Sequence, residues 1–215
     1  MKKWTSFWTL AEQERFSALN SPAAIQRYLD SLTYSADSFY RCPRRVLADQ
    51  QAHCFDGALF AAAALRRLGF PPLIIDLQAW RDDDHLLALY KVDGCWGAVA
   101  KSNFVGLRFR EPIHRSLREL VLTYFESYYN MEYAKSLRGY TAPLDLSRFD
   151  HLDWMRRDEP ADVISDQLDH VRYYPLLSKR MIKRLQPIDE RSYQAGQHGA
   201  NQAGIYWPDK EQNHE

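Results

Sequence analysis

The sequence predicts an α+β fold, in which a central helix packs on an antiparallel sheet and flanking helices cover that sheet. The first observation is an alanine-rich apolar stripe at helical spacing over residues 54–68, closed by a glycine and two prolines. The second is a set of three β-rich runs that follow, at residues 73–77, 85–92 and 95–101. The third is Asp93-Gly94, a two-residue hairpin signal that makes the last two runs antiparallel neighbours.

Before the central helix, the sequence predicts one further helix and a short approach segment. Ser21-Pro22 supplies a cap and a first-turn proline to an amphipathic helix that reaches Leu32. Residues 38–48 then lead to the start of the central helix. A chain of 215 residues suits a single domain, and we place its core at about residues 38–130.

Beyond the sheet, apolar and aromatic residues recur at three- and four-residue steps over residues 113–128, which predicts a long helix. We interpret its aromatic stripe as core packing rather than as a ligand site. Arg108 and Arg110 alternate along an extended piece just before it. They fit either the binding of a substrate carboxylate or a solvated strand edge.

The C-terminal part, residues 139–215, is more polar and is predicted to be a helical and loop-rich extension that packs on the core. A helix opens at Glu159-Pro160, and a basic helix is predicted at residues 176–185. The last stretch, residues 194–215, contains Tyr206-Trp207-Pro208. A purely disordered tail seldom carries such residues, so we expect this stretch to pack back on the body as an arm.

The balance of charges argues against several classes of partner. Lysine plus arginine equals aspartate plus glutamate, at 28 each, so no global field attracts nucleic acid or an anionic membrane. The N-terminal Met1-Lys2-Lys3 is basic, but charged residues interrupt the run that follows before it reaches the length of a signal sequence. No apolar run approaches the roughly 20 residues of a membrane helix. We therefore expect neither nucleic acid nor membrane as a partner.

The chain has three cysteines, Cys42, Cys54 and Cys95. They form no CxxC pair and no even framework, which favours a reducing compartment and argues against structural zinc. We expect a cytoplasmic protein that uses no cofactor and no metal. Cys42 and Cys95 lack any chemical context and are interpreted as structural.

Cys54 stands in or just before the first turn of the central helix, where a thiol has a special environment. Unpaired N–H groups and the positive end of the helix dipole lower the pKa of a cysteine and can receive an oxyanion. His85 leads a later strand, and counting by twos places it on one face with Leu87 and Leu89. If that face is the buried one, His85 projects toward the layer that holds the central helix. A thiol nucleophile and its base then face each other.

These residues resemble the core of the transglutaminase-like superfamily of papain-type thiol enzymes. Cys54 is followed by Asp, a small residue and Ala, then by Leu-Arg-Arg-Leu-Gly-Phe-Pro, a strand, His85, a turn and Trp96, and the likeness covers roughly residues 43–103. The resemblance implies a single domain with the cysteine-proteinase fold, Cys54 as nucleophile and His85 as base. The family's third member, an Asp four residues after the Trp, falls on Ala100 in this chain.

Two neighbouring residues are candidates for the orienting role that Ala100 cannot perform. Ser102 keeps the side-chain parity of position 100, whereas Asn103 has an amide oxygen that can accept from the imidazole, as in Cys-His-Asn sites. We predict Asn103 in this role, with Ser102 as the alternative. His53 and Trp96 are predicted to line the site.

Three functions follow from this reading. The first is thiol-dependent acyl transfer or hydrolysis at an amide bond, acting on a peptide or a small amide-containing substrate. The second is a catalytically inactive binding module of the same fold. The third is a metal-dependent hydrolase built on His53, Cys54, His85 and an aspartate, which lacks a ligand motif and is disfavoured. The choice between water and an amine as acceptor, and the oligomeric state, stay open.

Overall fold

The computed structural model of the chain describes residues 4–208. The basic start, Met1-Lys2-Lys3, and residues 209–215 of the predicted arm lie outside the described residues. The α-helices are α1 (Leu10–Ser17), α2 (Pro22–Ser31), α3 (Pro43–Asp49), α4 (Cys54–Arg67), α5 (Leu117–Leu122), α6 (Pro160–Asp169), α7 (Lys179–Ile182) and α8 (Glu190–Gly196). The strands are β1 (Thr33–Tyr34), β2 (Gln51–Ala52), β3 (Leu73–Ala79), β4 (His85–Val92), β5 (Cys95–Val99), β6 (Arg110–His114), β7 (Leu137–Thr141), β8 (Leu144–Asp145) and β9 (Tyr173–Pro175).

The strands from β3 onward form one antiparallel sheet in the described part of the chain. Its order is β6-β5-β4-β3-β7-β9, and β8 pairs with β3 next to β7. The β4–β5 hairpin turns through Asp93 and Gly94 with φ of 49° and 82°, the pair of positive values that a tight hairpin requires. The predicted α+β class and the predicted hairpin are confirmed. Strands β1 and β2 form a separate parallel pair.

Helix α4 lies at the centre of the core, and every residue from Phe55 to Leu65 is buried. Its alanines pack against one face of the sheet, which presents Leu86, Ala88 and Tyr90 of β4. The approach is closest at Gly57, where an added Cβ would lie 2.2 Å from the Cβ of Lys101. A glycine is therefore needed where the first turn of α4 meets the end of β5.

The opposite face of the sheet is buried as well. Leu87 and Leu89 of β4 pack there with Val121 of α5 and with Tyr124 and Tyr128. The long helix predicted over residues 113–128 is wrong in extent, because α5 has six residues and β6 occupies the beginning of that segment. The Ser116 side chain accepts from the Glu119 N–H and caps the helix, which therefore starts at Leu117.

The C-terminal part combines the predicted helices with unpredicted strands. Helix α6 begins at Pro160, as expected from Glu159-Pro160, whereas the basic helix reduces to the four residues of α7. Strands β7 to β9 extend the sheet on the side of β3 away from β4. No helix among residues 4–208 is long and apolar enough to span a bilayer.

Candidate functional site

A buried polar cluster fixes the start of α4. His53 caps the helix, since its Nδ1 accepts from the N–H groups of Phe55 at 3.1 Å and Asp56 at 3.5 Å. The Asp56 carboxylate in turn accepts from the His53 N–H at 3.3 Å and from the Arg41 N–H at 2.7 Å. Both side chains of this reciprocal cap are held in place, so Cys54 is fixed as the first residue of α4.

Two cavities adjoin at Cys54. The larger one has a volume of about 460 Å³ and is called here the acidic cavity. Its lining includes His53, Cys54, Asp76, Asp83, Asp84 and Asp169. The smaller one has a volume of about 30 Å³ and is called the inner cavity. Its lining includes Cys54, His85, Ser102, Asn103, Leu107 and Tyr128. Residues 204–206 of the C-terminal arm line both cavities.

The Cys54 thiol is protonated in this environment. Its Sγ donates to the carbonyl oxygen of Asp84 at 3.7 Å. Burial raises the pKa of Cys54 to about 12, and the negative charge of Asp83 adds to the rise. The prediction that the helix start lowers this pKa is wrong in direction, because burial and the nearby carboxylates disfavour the thiolate.

The His85 ring is buried, with 5 % of its surface exposed, and it is neutral. Its Nε2 bonds the Leu107 carbonyl at 2.8 Å, and its ring packs edge-on against Tyr128. A carbonyl can only accept, so Nε2 carries the proton and Nδ1 has the free lone pair. Burial lowers the pKa of His85 to about 4, although the Leu107 carbonyl opposes this.

His85 does not project toward α4 as the alternation argument expected. It shares the parity of Leu87 and Leu89, which pack on the face opposite α4, while Leu86 faces α4. Both faces of the sheet are buried, so the burial of a face does not show which one packs on the central helix. Cys54 and His85, the first residue of β4, instead line the same inner cavity. In the described part of the chain, no hydrogen bond joins them.

Asn103 has a different task from the predicted one. Its Nδ2 donates to the carbonyls of Asn201 at 2.9 Å and Gly204 at 3.2 Å, and its Oδ1 accepts from the Asn201 N–H at 2.8 Å. Both amide atoms thus hold the C-terminal arm, and the group that orients His85 is the Leu107 carbonyl. The expected arm does pack back on the body over its described residues.

The other predicted site residues are divided between the site and the scaffold. His53 lines the acidic cavity, but burial lowers its pKa to about 4 and its Nδ1 serves the helix cap. Ser102 lines the inner cavity and accepts from the Phe104 N–H at 2.9 Å. Trp96 lines neither cavity; its ring stacks under the Lys91 ammonium at 4.8 Å. Ala100 is buried and bonds Gln26 through its backbone N–H and carbonyl.

Tyr34 is a site residue that the sequence did not reveal. It lines both cavities, and its hydroxyl accepts from the Cys54 N–H. Burial raises the pKa of Tyr34 well above its ordinary value, so its hydroxyl keeps its proton. The next two N–H groups of α4 are occupied by His53, and the Cys54 N–H bonds the Tyr34 oxygen, so the donor left at the predicted oxyanion site is the Tyr34 hydroxyl.

Asp76 is the second residue that the sequence did not single out. It lies on β3 with 6 % of its surface exposed and lines the acidic cavity, and its Oδ1 has no hydrogen-bond partner among the described residues. A charged residue inside the apolar run 73–77 was the signal for it. Within residues 4–208, no three His, Cys, Asp or Glu side chains converge as a metal site.

The site combines a thiol at a helix start, a neutral imidazole with one free nitrogen, an oxygen donor and several carboxylates. Such a set can perform nucleophilic and proton-transfer chemistry without a metal. A comparison of the chain with protein-family models and with curated proteins gave no match, so a function has to be inferred from the site itself.

Proposed function

We propose that the protein is a thiol-dependent enzyme of transglutaminase-like fold that transfers or hydrolyses an acyl group at an amide bond. The observation that carries this proposal is the bond from His85 Nε2 to the Leu107 carbonyl at 2.8 Å. It leaves Nδ1 as the basic nitrogen of a histidine that lines the same cavity as Cys54. The order of helix cysteine, strand histidine and hairpin, which the resemblance implies, supports the same assignment.

The chemistry starts from a neutral pair. His85 Nδ1 takes the thiol proton while Cys54 Sγ forms a bond to the amide carbon, and the carbonyl oxygen becomes an oxyanion. The Tyr34 hydroxyl, whose oxygen accepts from the Cys54 N–H, is the donor placed to stabilise that charge. The C–N bond then breaks, and the imidazolium returns the proton to the leaving amine. Water, or a second amine, cleaves the thioester and regenerates the thiol.

This sequence of steps requires a change from the described arrangement. The thiol bonds the Asp84 carbonyl, and residues 204–206 of the arm line both cavities. Displacement of the arm would admit water and substrate, and hydration would return the pKa values of Cys54 and His85 toward their ordinary values. We therefore regard the described arrangement as the closed, resting state of the enzyme.

One observation favours a second candidate, a catalytically inactive binding module. Among the described residues, thiol and imidazole each bond a backbone carbonyl and not each other. Their pKa values, about 12 and about 4, are those of an unactivated pair. A module that only binds its ligand would need no more than the cavities.

Acylation with an activated ester, p-nitrophenyl acetate, separates the two candidates. We expect a burst of nitrophenol and a thioester on Cys54 in the intact protein, found by mass spectrometry of peptides. Cys54→Ala should abolish both signals, and His85→Ala should slow acylation by about 10²- to 10⁴-fold. Cys42→Ser serves as the matched cysteine control. If the wild-type protein and the arm-loosened variant Asn103→Ala both form no thioester at Cys54, the proposed enzyme is excluded and the binding module stands.

A further inference from the structure

The acidic cavity has a composition that the acyl chemistry does not require. Five aspartates line it, namely Asp37, Asp76, Asp83, Asp84 and Asp169, and no lysine or arginine of the described residues does. A cavity with charge of one sign concentrates ligands of the opposite sign. Asp37 is neutralised, since it forms an ion pair with Arg41. The uncompensated negative charge therefore lies around Asp84 and Asp169, beside Asp76.

The carboxyl group of Asp76 bonds Gln78 but has one buried oxygen, Oδ1, without a partner among the described residues. Asp76 has 6 % of its surface exposed. A buried carboxylate atom without a partner carries the full cost of its desolvation. Burial, followed by the charge of Asp84, raises the pKa of Asp76 to about 8, and Asp169 contributes in the same direction. These three carboxylates thus lie close enough to repel one another.

A bound metal ion does not account for this arrangement. In the part of the chain that the structure describes, no three acidic, histidine or cysteine side chains converge on one point. The carboxylates are spread over the middle of β3, the segment before β4 and the end of α6. A volume of about 460 Å³ also exceeds what a single ion needs and fits a small organic molecule.

We propose that the acidic cavity binds an organic cation, an ammonium or guanidinium group on a flexible chain, with Asp76 as its central carboxylate. Its donors would reach Asp76 Oδ1, and its charge would stabilise the ionised form of Asp76, which releases its proton when the cation binds beside Asp84 and Asp169. The cation takes no part in bond formation, since a protonated amine has no lone pair. If the cation is part of the substrate, that substrate is an amide that carries a cationic group beside the acyl group that Cys54 attacks. This part of the inference rests on the proposed function. The Asp84 carbonyl, which contacts the Cys54 thiol, links the two parts of the site.

The binding experiment uses cadaverine, a flexible diamine, and pentanediol, its uncharged counterpart. Isothermal titration calorimetry of the full chain should show that cadaverine binds and that pentanediol binds with at least tenfold lower affinity. Asp76→Asn keeps the shape of the side chain and should weaken cadaverine by roughly 10- to 100-fold, as expected for loss of a charge-assisted bond. Asp169 is exposed, so Asp169→Asn leaves the core intact, and it should also weaken the binding of cadaverine. Asp93→Asn, in the exposed β4–β5 turn, is the matched control and should bind as the wild type does.

The result that overturns the inference is equal binding of the diamine and the diol, or affinities for Asp76→Asn and Asp169→Asn that match Asp93→Asn. Cys54→Ser separates this inference from the proposed function. If Cys54→Ser and the wild type bind cadaverine equally while no thioester forms at Cys54, the cation site stands and the enzyme is excluded. If the thioester forms but cadaverine does not bind, the enzyme stands and the cation site is excluded.

Discussion

Replacement of Asn103 by alanine should expose Cys54 to chemical modification. The Asn103 amide makes three hydrogen bonds to the arm, two to carbonyls and one from the Asn201 N–H. At ~1 kcal/mol for each bond, their loss removes ~3 kcal/mol from the closed arrangement. Since ~1.4 kcal/mol is a factor of ten, the population with an open arm should rise on the order of 100-fold.

The effect on alkylation follows from the pKa of the thiol. With its pKa raised to about 12 by burial, Cys54 is a thiolate in about one molecule in 10⁴ at pH 8 in the closed state. An exposed cysteine has a pKa of about 8.5 and is about one-quarter thiolate at that pH. Modification therefore proceeds through the open arm, and the rate should follow the open population.

Iodoacetamide labelling, resolved by peptide mass spectrometry, measures the rate at each cysteine separately. Asn103→Ala should label Cys54 on the order of 100-fold faster than the wild type. Asn20→Ala, at an exposed asparagine, should leave the rate unchanged, and Cys95 provides an internal reference. Asn103→Asp should also accelerate labelling, because it loses both donor bonds. A wild-type rate at Cys54 in both Asn103 variants would refute the assignment of Asn103 as the clamp of the arm.

Three further predictions concern the oxyanion donor, the buried carboxylate and the helix packing. Tyr34→Phe should slow acylation of Cys54 by roughly 100-fold, as for loss of one oxyanion donor, whereas Tyr174→Phe should not; equal rates would remove Tyr34 from the mechanism. The pKa of Asp76, about 8, exceeds its unfolded value, so the native state holds this proton and the free energy of unfolding should fall as pH rises from about 4 to about 8. Urea denaturation at pH 5 and pH 8 should show this fall, at ~1.4 kcal/mol per pH unit for Asp76, and Asp76→Asn should reduce it. Asp56 and Asp82, whose pKa values burial raises to about 7, cause the part of the fall that remains. Gly57→Ala places a Cβ 2.2 Å from that of Lys101 and should lower the free energy of unfolding by ~1–3 kcal/mol; an unchanged denaturation curve would contradict this packing.

The sequence predicted those parts of the fold that depend on local patterns. The start of α4 at Cys54 and the Asp93-Gly94 turn are set by short-range capping and turn chemistry, and both are in the structure. Strands β7 to β9 were not predicted, because their pairing with β3 and with each other joins residues far apart in the sequence. Local propensity carries little information on such contacts.

The hydrogen-bond partners of the candidate site residues were not predicted, for a related reason. Cys54 and His85 line one cavity, but the acceptor for His85 is the Leu107 carbonyl. Every residue has a carbonyl, so no side-chain pattern can mark that acceptor. Asn103 was chosen because its amide can form hydrogen bonds, and it does form them, but with Asn201, which lies 98 residues further along the chain. Side-chain chemistry identified a residue that bonds, but chain topology decided what it bonds.

The acidic cavity and the protonated thiol have a common electrostatic cause. After burial, the charge of Asp83 and, when they are ionised, the charges of Asp76 and Asp56 raise the pKa of Cys54, so the carboxylates beside the thiol disfavour its ionised form. An organic cation in the acidic cavity would offset that negative charge and thereby favour the thiolate. Binding of the cation and ionisation of Cys54 would then be coupled, and each would strengthen the other to the same extent. On this reasoning, the substrate's own charge removes part of the barrier that keeps the resting thiol inert.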